Sequence, residues 1–171
     1  EQTRKKLGYA ADDFVVITGG KIDHAKRQTL LLIEAVHKIQ NPKLKLLVFG
    51  SVVDDMKEQL VSMCAADERI QYIGWLQADD TYPYFAASDL AVFPGRHSVM
   101  WEQVAGQGIP MICKYWDGTT HVDVGGNVQF LYQDSTEEIQ KKLNNTSTGA
   151  RKYLWSSALS EIRSAPLTGH G

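Results

Sequence analysis

Residues 14–20 read Phe-Val-Val-Ile-Thr-Gly-Gly, and this stretch decides the fold. Its first five residues are all aromatic or β-branched, without the alternation that marks a half-exposed strand. An apolar run of this length that ends in glycine is typical of a parallel strand buried on both faces. Residues 27–40 then carry apolar side chains at helical spacing and end at Asn41-Pro42. A buried strand followed by an amphipathic helix is the repeating unit of parallel α/β folds.

The alternation of strand and helix continues outward from this unit in both directions. Before it, the charged residues 1–8 predict a helix. After it, apolar runs predict strands over residues 44–49, 70–73, 90–93, 109–113 and 128–131. Further helices are predicted over residues 54–66, 82–87, 99–106, from Ser135 with Glu138 completing a capping box, and over about 150–163. We predict a single domain over residues 1–171, an α/β, Rossmann-like, doubly wound and mostly parallel sheet of about six strands with helices on both faces.

Composition excludes several classes of protein. The 171 residues carry 18 Lys and Arg against 20 Asp and Glu, a net charge of −2, and 43% are hydrophobic. This balance fits neither a nucleic-acid-binding protein nor a disordered chain. The two cysteines, Cys64 and Cys113, lie in apolar stretches and are interpreted as buried free thiols of a reducing compartment. The chain begins at Glu1 rather than Met, which suggests a fragment, with a processed N-terminus as the alternative.

Basic residues follow the end of the first predicted strand. After Gly20 come Lys21, Lys26 and Arg27, near the start of a predicted helix. Ligands of doubly wound sheets bind beyond the carboxyl ends of the strands, and helix N-termini there favour anions. We therefore predict a phosphate site, with a solvated turn that carries basic residues as the alternative. Neither the dinucleotide-binding nor the P-loop glycine motif is present.

The residues after the fourth predicted strand provide a second set of candidates. Ser98 is a plausible N-cap, and the free amides of Ser98 and Val99 would face the same crevice. The carboxylate of Glu102, one turn into the helix, could accept two hydrogen bonds from a sugar diol. The alternative is a glutamate that favourably meets the helix dipole. His97 is a candidate site-lining residue, or else a surface or capping residue.

No catalytic or metal centre can be derived from spacing alone. The five histidines are dispersed without metal-ligand spacing, and no nucleophile stands at a recognisable distance from a base. The paired aspartates at residues 12–13, 54–55 and 79–80 lie at helix starts or turns, where capping is their ordinary role. We therefore expect no metal and no cofactor.

Several segments together resemble one family. GGKIDHAKRQTLLLIEAV is similar to a Gly-Arg-Leu…Lys-Gly…Leu-Ile-Glu-Ala pattern, LKLLVFGS to a strand that ends in Phe-Gly-Ser-Gly, and WEQVAGQGIPMI to a Glu-Ala…Gly-x-Pro-Val-Ile block. IQYIGWL and YFAASDLAVFPG match the segments between them. These motifs, over about residues 14–143, resemble the C-terminal, donor-binding domain of retaining, GT-B-fold glycosyltransferases of group 1.

The resemblance implies a role for each matched position. Lys21 and Lys26 would hold the donor diphosphate together with the amides of Ser98 and Val99, and Glu102 would bind the ribose. Backbone groups near Ile73 and Gly74 would contact the base. Two departures put ordinary catalysis in doubt: Lys21 stands where the family has Arg, and the family's earlier glutamate falls at Pro94, so it has no counterpart.

The implied reaction is transfer of a sugar from a nucleoside diphosphate sugar to an unknown acceptor. The implied partners are the nucleotide-sugar donor, an N-terminal domain upstream of Glu1, and a carbohydrate or lipid-linked acceptor, but no nucleic acid. The protein would be cytoplasmic, with the inner face of a membrane as an alternative place for the full-length chain. Different functions remain open: a non-catalytic nucleotide-sugar-binding or interaction domain, or a related epimerase.

Overall fold

The computed structural model describes residues 1–147, which form six strands and six α-helices. The strands are β1 (Phe14–Gly19), β2 (Leu44–Phe49), β3 (Ile70–Tyr72), β4 (Leu90–Phe93), β5 (Met111–Lys114) and β6 (Val128–Leu131). The helices are α1 (Gln2–Leu7), α2 (Gln28–Lys38), α3 (Asp54–Ala65), α4 (Tyr82–Ala86), α5 (Met100–Gly106) and α6 (Thr136–Ser147). One-turn 3₁₀ helices lie at His24–Lys26, Ala78–Thr81 and Thr120–Val122. The helix predicted over 150–163 lies outside the described residues.

The six strands form one parallel sheet in the order β3-β2-β1-β4-β5-β6. The chain moves outward from β1 on one side, then returns to place β4 on the other side of β1. This reversal leaves a crevice beyond the carboxyl ends of β1 and β4, where ligands of such sheets bind. The predicted Rossmann-like α/β fold is confirmed.

Two apolar layers cover the sheet. Val16 packs in one layer with α2, α3 and α6, whereas its neighbour Ile17 packs in the other with Phe85 of α4 and Trp101 of α5. Successive side chains of a strand point to opposite faces, so β1 needs apolar residues at every position. That requirement explains the unbroken apolar run of residues 14–17, which are all buried.

The ends of some elements differ from the sequence predictions. β5 begins at Met111 rather than at residue 109, because Pro110 has no amide hydrogen for the sheet and contributes only its carbonyl, which accepts from Ala91. The Ser135 hydroxyl caps α6 as predicted, accepting from the amide of Glu138 at 3.0 Å. The Glu138 carboxylate completes the cap differently, on the amides of Tyr132 and Gln133.

Helix α1 is held against the domain by Arg4. Its guanidinium donates to the carbonyl of Ala87 at 2.8 Å, to the carbonyl of Asp13 at 3.1 Å and to the carboxylate of Asp89 at 2.7 Å. The helix predicted from the charged residues 1–8 is therefore an integral part of the fold. Within residues 1–147, no helix has the length and apolar character that a membrane crossing would require.

Candidate functional site

A cavity of about 530 Å³ lies at the reversal of strand order. Its walls come from the loops after β1, β2 and β3 and from the start of α5. The lining residues are Gly20, Lys21, Phe49, Gly50, Ser51, Trp75, Leu76, Ala78, Thr81, Ser98, Val99, Met100 and Gln103. The structure thus brings together segments that are up to 83 positions apart in the chain, counted from Gly20 to Gln103. This size and position suit a ligand with both apolar and charged parts.

Two glycines let the backbone form the floor of the cavity. Gly50 has a φ of 123°, and a Cβ placed on it would collide with the backbone carbonyl of Gly20. The amide of Gly50 donates to the carbonyl of Gly74 at 2.7 Å, which fixes the loop after β3 against the loop after β2. A side chain at Gly50 would separate the loop after β2 from the loop after β1, so the sequence needs glycine there.

The two lysines converge beside this floor. Lys21 lines the large cavity and also an adjoining cavity of about 20 Å³ that is lined by Lys26, Arg96 and Ser98. The Nζ atom of Lys26 lies 4.0 Å from the Cβ position of Gly20. Arg27 is exposed and lines neither of the two cavities, because the preceding 3₁₀ turn directs it to the surface. The structure therefore separates Arg27 from the lysine pair.

The amides near the start of α2 already have a partner. The Asp23 carboxylate accepts from the amides of Ala25 at 2.9 Å and of Lys26 at 3.1 Å. It also lies 3.9 Å from Nζ of Lys21, whose side chain is 66% exposed. An anion at this end of the cavity would therefore meet lysine side chains rather than these two amides.

The start of α5 differs from the sequence prediction. The predicted N-cap role of Ser98 is wrong: Val99 is the N-cap, and no side-chain hydrogen bond caps the helix. Val99 already has helical backbone angles, so the first turn closes through the Ser98 carbonyl, which accepts from Trp101 at 3.0 Å. Ser98 and Val99 still line the large cavity, and Val99 is exposed.

The loop after β3 presents an aromatic side chain that sequence reasoning did not single out. The amide of Ile73 donates to Val48, and the carbonyl of Gly74 accepts from Gly50, so both backbones join the loop to β2. The cavity is lined by the next two residues, Trp75 and Leu76, and Trp75 is 65% exposed. Its exposure and its place in the cavity lining identify Trp75 as a candidate ligand contact.

Glu102 lies in a cluster with two histidines rather than among the residues that line the two cavities. Its Oε1 is 2.6 Å from Nε2 of His97 and 2.8 Å from Nε2 of His121. Its Oε2 is buried without a hydrogen-bond partner among the described residues. Burial raises the pKa of Glu102, but hydrogen bonds from His121, its own backbone and His97 outweigh burial and hold this pKa below its usual value. The carboxylate is therefore ionised at neutral pH.

Sequence reasoning missed His121. It belongs to the 3₁₀ turn Thr120–Val122, in the long connection between β5 and β6, and stands 19 positions after Glu102. No local spacing rule links these residues, because the sheet brings their loops to the same edge. The only available signal was that both loops follow neighbouring parallel strands.

Comparison with known proteins identifies the family. The family model described as "Glycosyl transferases group 1" matches residues 13–146. A search of curated proteins finds no significant match.

Solved structures share the fold at low identity. The HepE protein of Anabaena, solved with UDP and glucose, is 19% identical over 95% of this chain and 46% of its own, with a TM-score of 0.72. The C-terminal domain of the group 1 glycosyl transferase LpcC from Francisella tularensis is 18% identical over 94% of this chain and 89% of its own, with a TM-score of 0.73. MnaA of S. aureus, solved with UDP, is 12% identical over 92% of this chain and 42% of its own, with a TM-score of 0.74.

The chain spans about half the length of HepE and most of the LpcC domain. At these identities the structural matches support the GT-B-like Rossmann fold, and the family model supports membership. The chain belongs to the group 1 glycosyl transferase family.

Proposed function

We propose that this chain is the donor-binding domain of a retaining glycosyltransferase that uses a nucleoside diphosphate sugar, with UDP as the first nucleotide to test. The observation that carries the proposal is that Lys21 and Lys26 line the same small cavity, next to the large one at the reversal of strand order. Two of the structurally similar proteins were solved with UDP, which favours this nucleotide.

The lysines would act on the leaving group. As the bond between the sugar and the diphosphate breaks, negative charge grows on the diphosphate. Two ammonium groups placed at that position stabilise the growing charge more than the ground state, which lowers the barrier. In this proposal the lysines neutralise the diphosphate, and no metal is assigned to that step.

The other parts of the donor would contact the surrounding loops. The amides of Ser98 and Val99 would approach the diphosphate, and the backbone near Ile73 and Gly74 would frame the base. A ribose diol would bind Glu102 by replacing one of the imidazole donors on its Oε1.

The remaining parts of the reaction would come from outside this chain. Because the chain spans about half of HepE, we propose an upstream domain that binds a carbohydrate or lipid-linked acceptor, with weak turnover by this domain alone. The two buried free cysteines fit a cytoplasmic protein.

Lys26→Ala should weaken UDP binding by about 1.5–3 kcal/mol, or roughly 10- to 150-fold, because the variant lacks one charged contact to the diphosphate. Titration calorimetry measures the affinity. Lys43→Ala is the matched control. Lys43 directly precedes β2, at the amino ends of the strands and away from the cavity, so this variant should bind UDP with unchanged affinity. The donor-site proposal fails if the folded full-length protein gives no heat with any nucleotide, or if both variants bind like the wild type.

Trp75→Ala should weaken UDP binding by about 1–3 kcal/mol through loss of a stacking surface for the base. Its effect on the free energy of unfolding should be small, because 65% of the side chain is exposed. Calorimetry and urea unfolding separate these two effects. Trp75→Phe should retain most of the affinity. If Trp75→Ala binds UDP with wild-type affinity, Trp75 does not contact the nucleotide.

A non-catalytic nucleotide-sugar-binding domain is a second candidate. The observation in its favour is that residues 94–99, Pro-Gly-Arg-His-Ser-Val, contain no carboxylate where the resembling family has its first glutamate. Incubation of the full-length protein with UDP-sugars separates the two functions. Release of UDP favours the transferase, and formation of an epimerised sugar nucleotide favours the related epimerase. Binding without either product favours the non-catalytic domain.

A further inference from the structure

We propose that His97, Glu102 and His121 form a binding site for one divalent transition-metal ion, with zinc as the best-matched ion. One ligand atom from each of the three side chains lies within 4.8 Å of those of the other two. Nε2 of His97 and Nε2 of His121 both face Oε1 of the carboxylate. This proposal goes beyond the donor contacts, because it assigns an ion to His97, Glu102 and His121, which line neither of the two cavities that contain the lysines. It shares Glu102 with the proposed ribose contact, so with the ion bound a ribose oxygen would take the open position of the ion instead of replacing an imidazole on Oε1.

The chemistry of the three groups matches this class of ion. Imidazole nitrogen is a preferred ligand of zinc and its neighbours, and two histidines with one glutamate form an established zinc ligand set. A glutamate carboxylate is ordinarily ionised at neutral pH, as coordination requires. Hard ions such as Mg²⁺ prefer an all-oxygen environment, so they fit this cluster less well.

The spacing of the ligands is close to that of a zinc site. With metal–ligand bonds of about 2.0–2.1 Å, tetrahedral ligand atoms stand roughly 3.3 Å apart. The two nitrogens are now 2.6 and 2.8 Å from Oε1, so each would move outward by about half an ångström. The side chains have room for this movement, since they are 32% (His97), 40% (Glu102) and 53% (His121) exposed.

The backbone that carries the ligands is firmly supported. The ring of His97 packs edge-on against the fully buried Trp101, with ring centroids 5.0 Å apart. The turn that carries His121 is anchored by buried Val122, whose carbonyl accepts from the side chain of buried Asn127 at 3.0 Å. Such support holds ligands near a productive geometry before the ion arrives.

Two further observations favour an ion over a plain hydrogen-bonded cluster. The Nε2 atoms of both imidazoles face the same carboxylate oxygen, Oε1 of Glu102. The other oxygen, Oε2, is buried without a hydrogen-bond partner among the described residues. A cation held by Oε1 would neutralise the carboxylate, which lowers the cost of leaving its second oxygen buried without a hydrogen-bond donor. The partial exposure of the cluster leaves the fourth position open to water or to an oxygen of a bound ligand, as in zinc sites with three protein ligands.

The test is Zn²⁺ binding to the metal-free protein, measured by calorimetry and by the midpoint of thermal unfolding. We expect one ion per chain at this cluster and a midpoint that rises with zinc concentration, because binding to the folded state stabilises it. His121→Ala should lower the affinity by about 100-fold or more, and Glu102→Gln should lower it similarly without a change in shape. Because two variants remove different ligands, one remains informative if the other fails to fold.

His24→Ala is the matched control. Nε2 of His24 also lies 2.7 Å from a carboxylate, that of Asp55, but no third metal-ligating side chain joins this pair within residues 1–147. This variant should bind zinc like the wild type. The proposal is overturned if the wild type takes up no zinc, or if folded His121→Ala or Glu102→Gln binds it with wild-type affinity.

UDP titrated into the same zinc-free wild-type sample tests the donor site separately. Zinc binding without UDP binding would support the metal site and contradict the donor proposal. UDP binding without zinc binding would support the donor proposal and contradict the metal site.

Discussion

Gly50→Ala is expected to lower the free energy of unfolding by about 4 kcal/mol, a large part of the roughly 5–15 kcal/mol that stabilises a typical domain. Two costs combine in this variant. Alanine is strained at a φ of 123°, and its Cβ would collide with the backbone carbonyl of Gly20. Backbone atoms cannot move aside as the end of a flexible side chain can, so the loops after β1 and β2 must separate. Urea unfolding measures the change.

The same substitution should also abolish UDP binding under native conditions, since Gly20 and Gly50 both line the large cavity. Gly118→Ala is the matched control. Gly118 has a φ of 79°, and a Cβ there meets no atom within 4 Å, so only the backbone strain of about 1–2 kcal/mol applies. Equal destabilisation by the two variants would show that the approach of Gly20 to Gly50 contributes nothing.

Arg69→Ala is expected to lower the free energy of unfolding by about 3–4 kcal/mol. Both side chains of the Arg69–Asp67 pair are only 13% exposed. The guanidinium donates to both carboxylate oxygens of Asp67 and to the carbonyls of Val36, Ile39 and Asn41. It therefore joins the C-terminal end of α2 to the start of β3. Removing it leaves a poorly solvated carboxylate without its ion-pair partner. It also takes the guanidinium donor from the three carbonyls, of which those of Val36 and Asn41 keep a backbone donor.

Variants of the same residue test the reason for this effect. Arg69→Lys keeps the charge but loses the planar fork, so it should lose an intermediate amount of stability. Lys43→Ala breaks an exposed ion pair with Asp12 and should leave the urea midpoint nearly unchanged. If Arg69→Ala is as stable as Lys43→Ala, the proposed role of the guanidinium in joining α2 to β3 is wrong.

Acid should weaken the Arg69 contact in a defined direction. Hydrogen bonds from the Arg69 side chain are the largest influence on Asp67 and hold the pKa of its carboxyl below the usual value. A carboxyl with a lowered pKa in the folded state adds stability above its unfolded pKa, near 4, and loses that stability as pH falls through the folded pKa. The stability difference between wild type and Arg69→Ala should therefore shrink below about pH 4.

The sequence predicted the sheet because its strands are buried on both faces. A parallel strand covered by helices needs apolar residues at every buried position, so residues 14–17, 46–49 and 90–93 stood out without any periodicity. The predicted ends of helices and strands were wrong where a single residue determined the boundary. Pro110 delayed β5 because it lacks an amide hydrogen. The regular part of α5 starts one residue later than predicted, because the Ser98 carbonyl accepts from Trp101, three residues on, and makes the first turn 3₁₀-like.

The candidate site was predicted where its residues follow strands directly. Gly20, Lys21 and Lys26 lie close after β1, and Ser98 and Val99 close after β4, so their meeting followed from the expectation of a doubly wound sheet. Arg27 was expected with them, but a one-turn 3₁₀ helix places it at the surface. Sequence patterns do not specify whether residue 26 or residue 27 faces the cavity at the end of such a short turn.

The sequence by itself determined the layers of the fold, the end of the sheet where the large cavity forms and the basic character of that end, because these depend on residue type and local order. Only the tertiary structure decided which side chains share one site. Trp75 lines the cavity because its side chain remains outside the core. His121 meets Glu102 because the 3₁₀ turn between β5 and β6 lies beside α5. Contacts of this kind depend on the three-dimensional path of the loops, which the distance between residues along the chain does not specify.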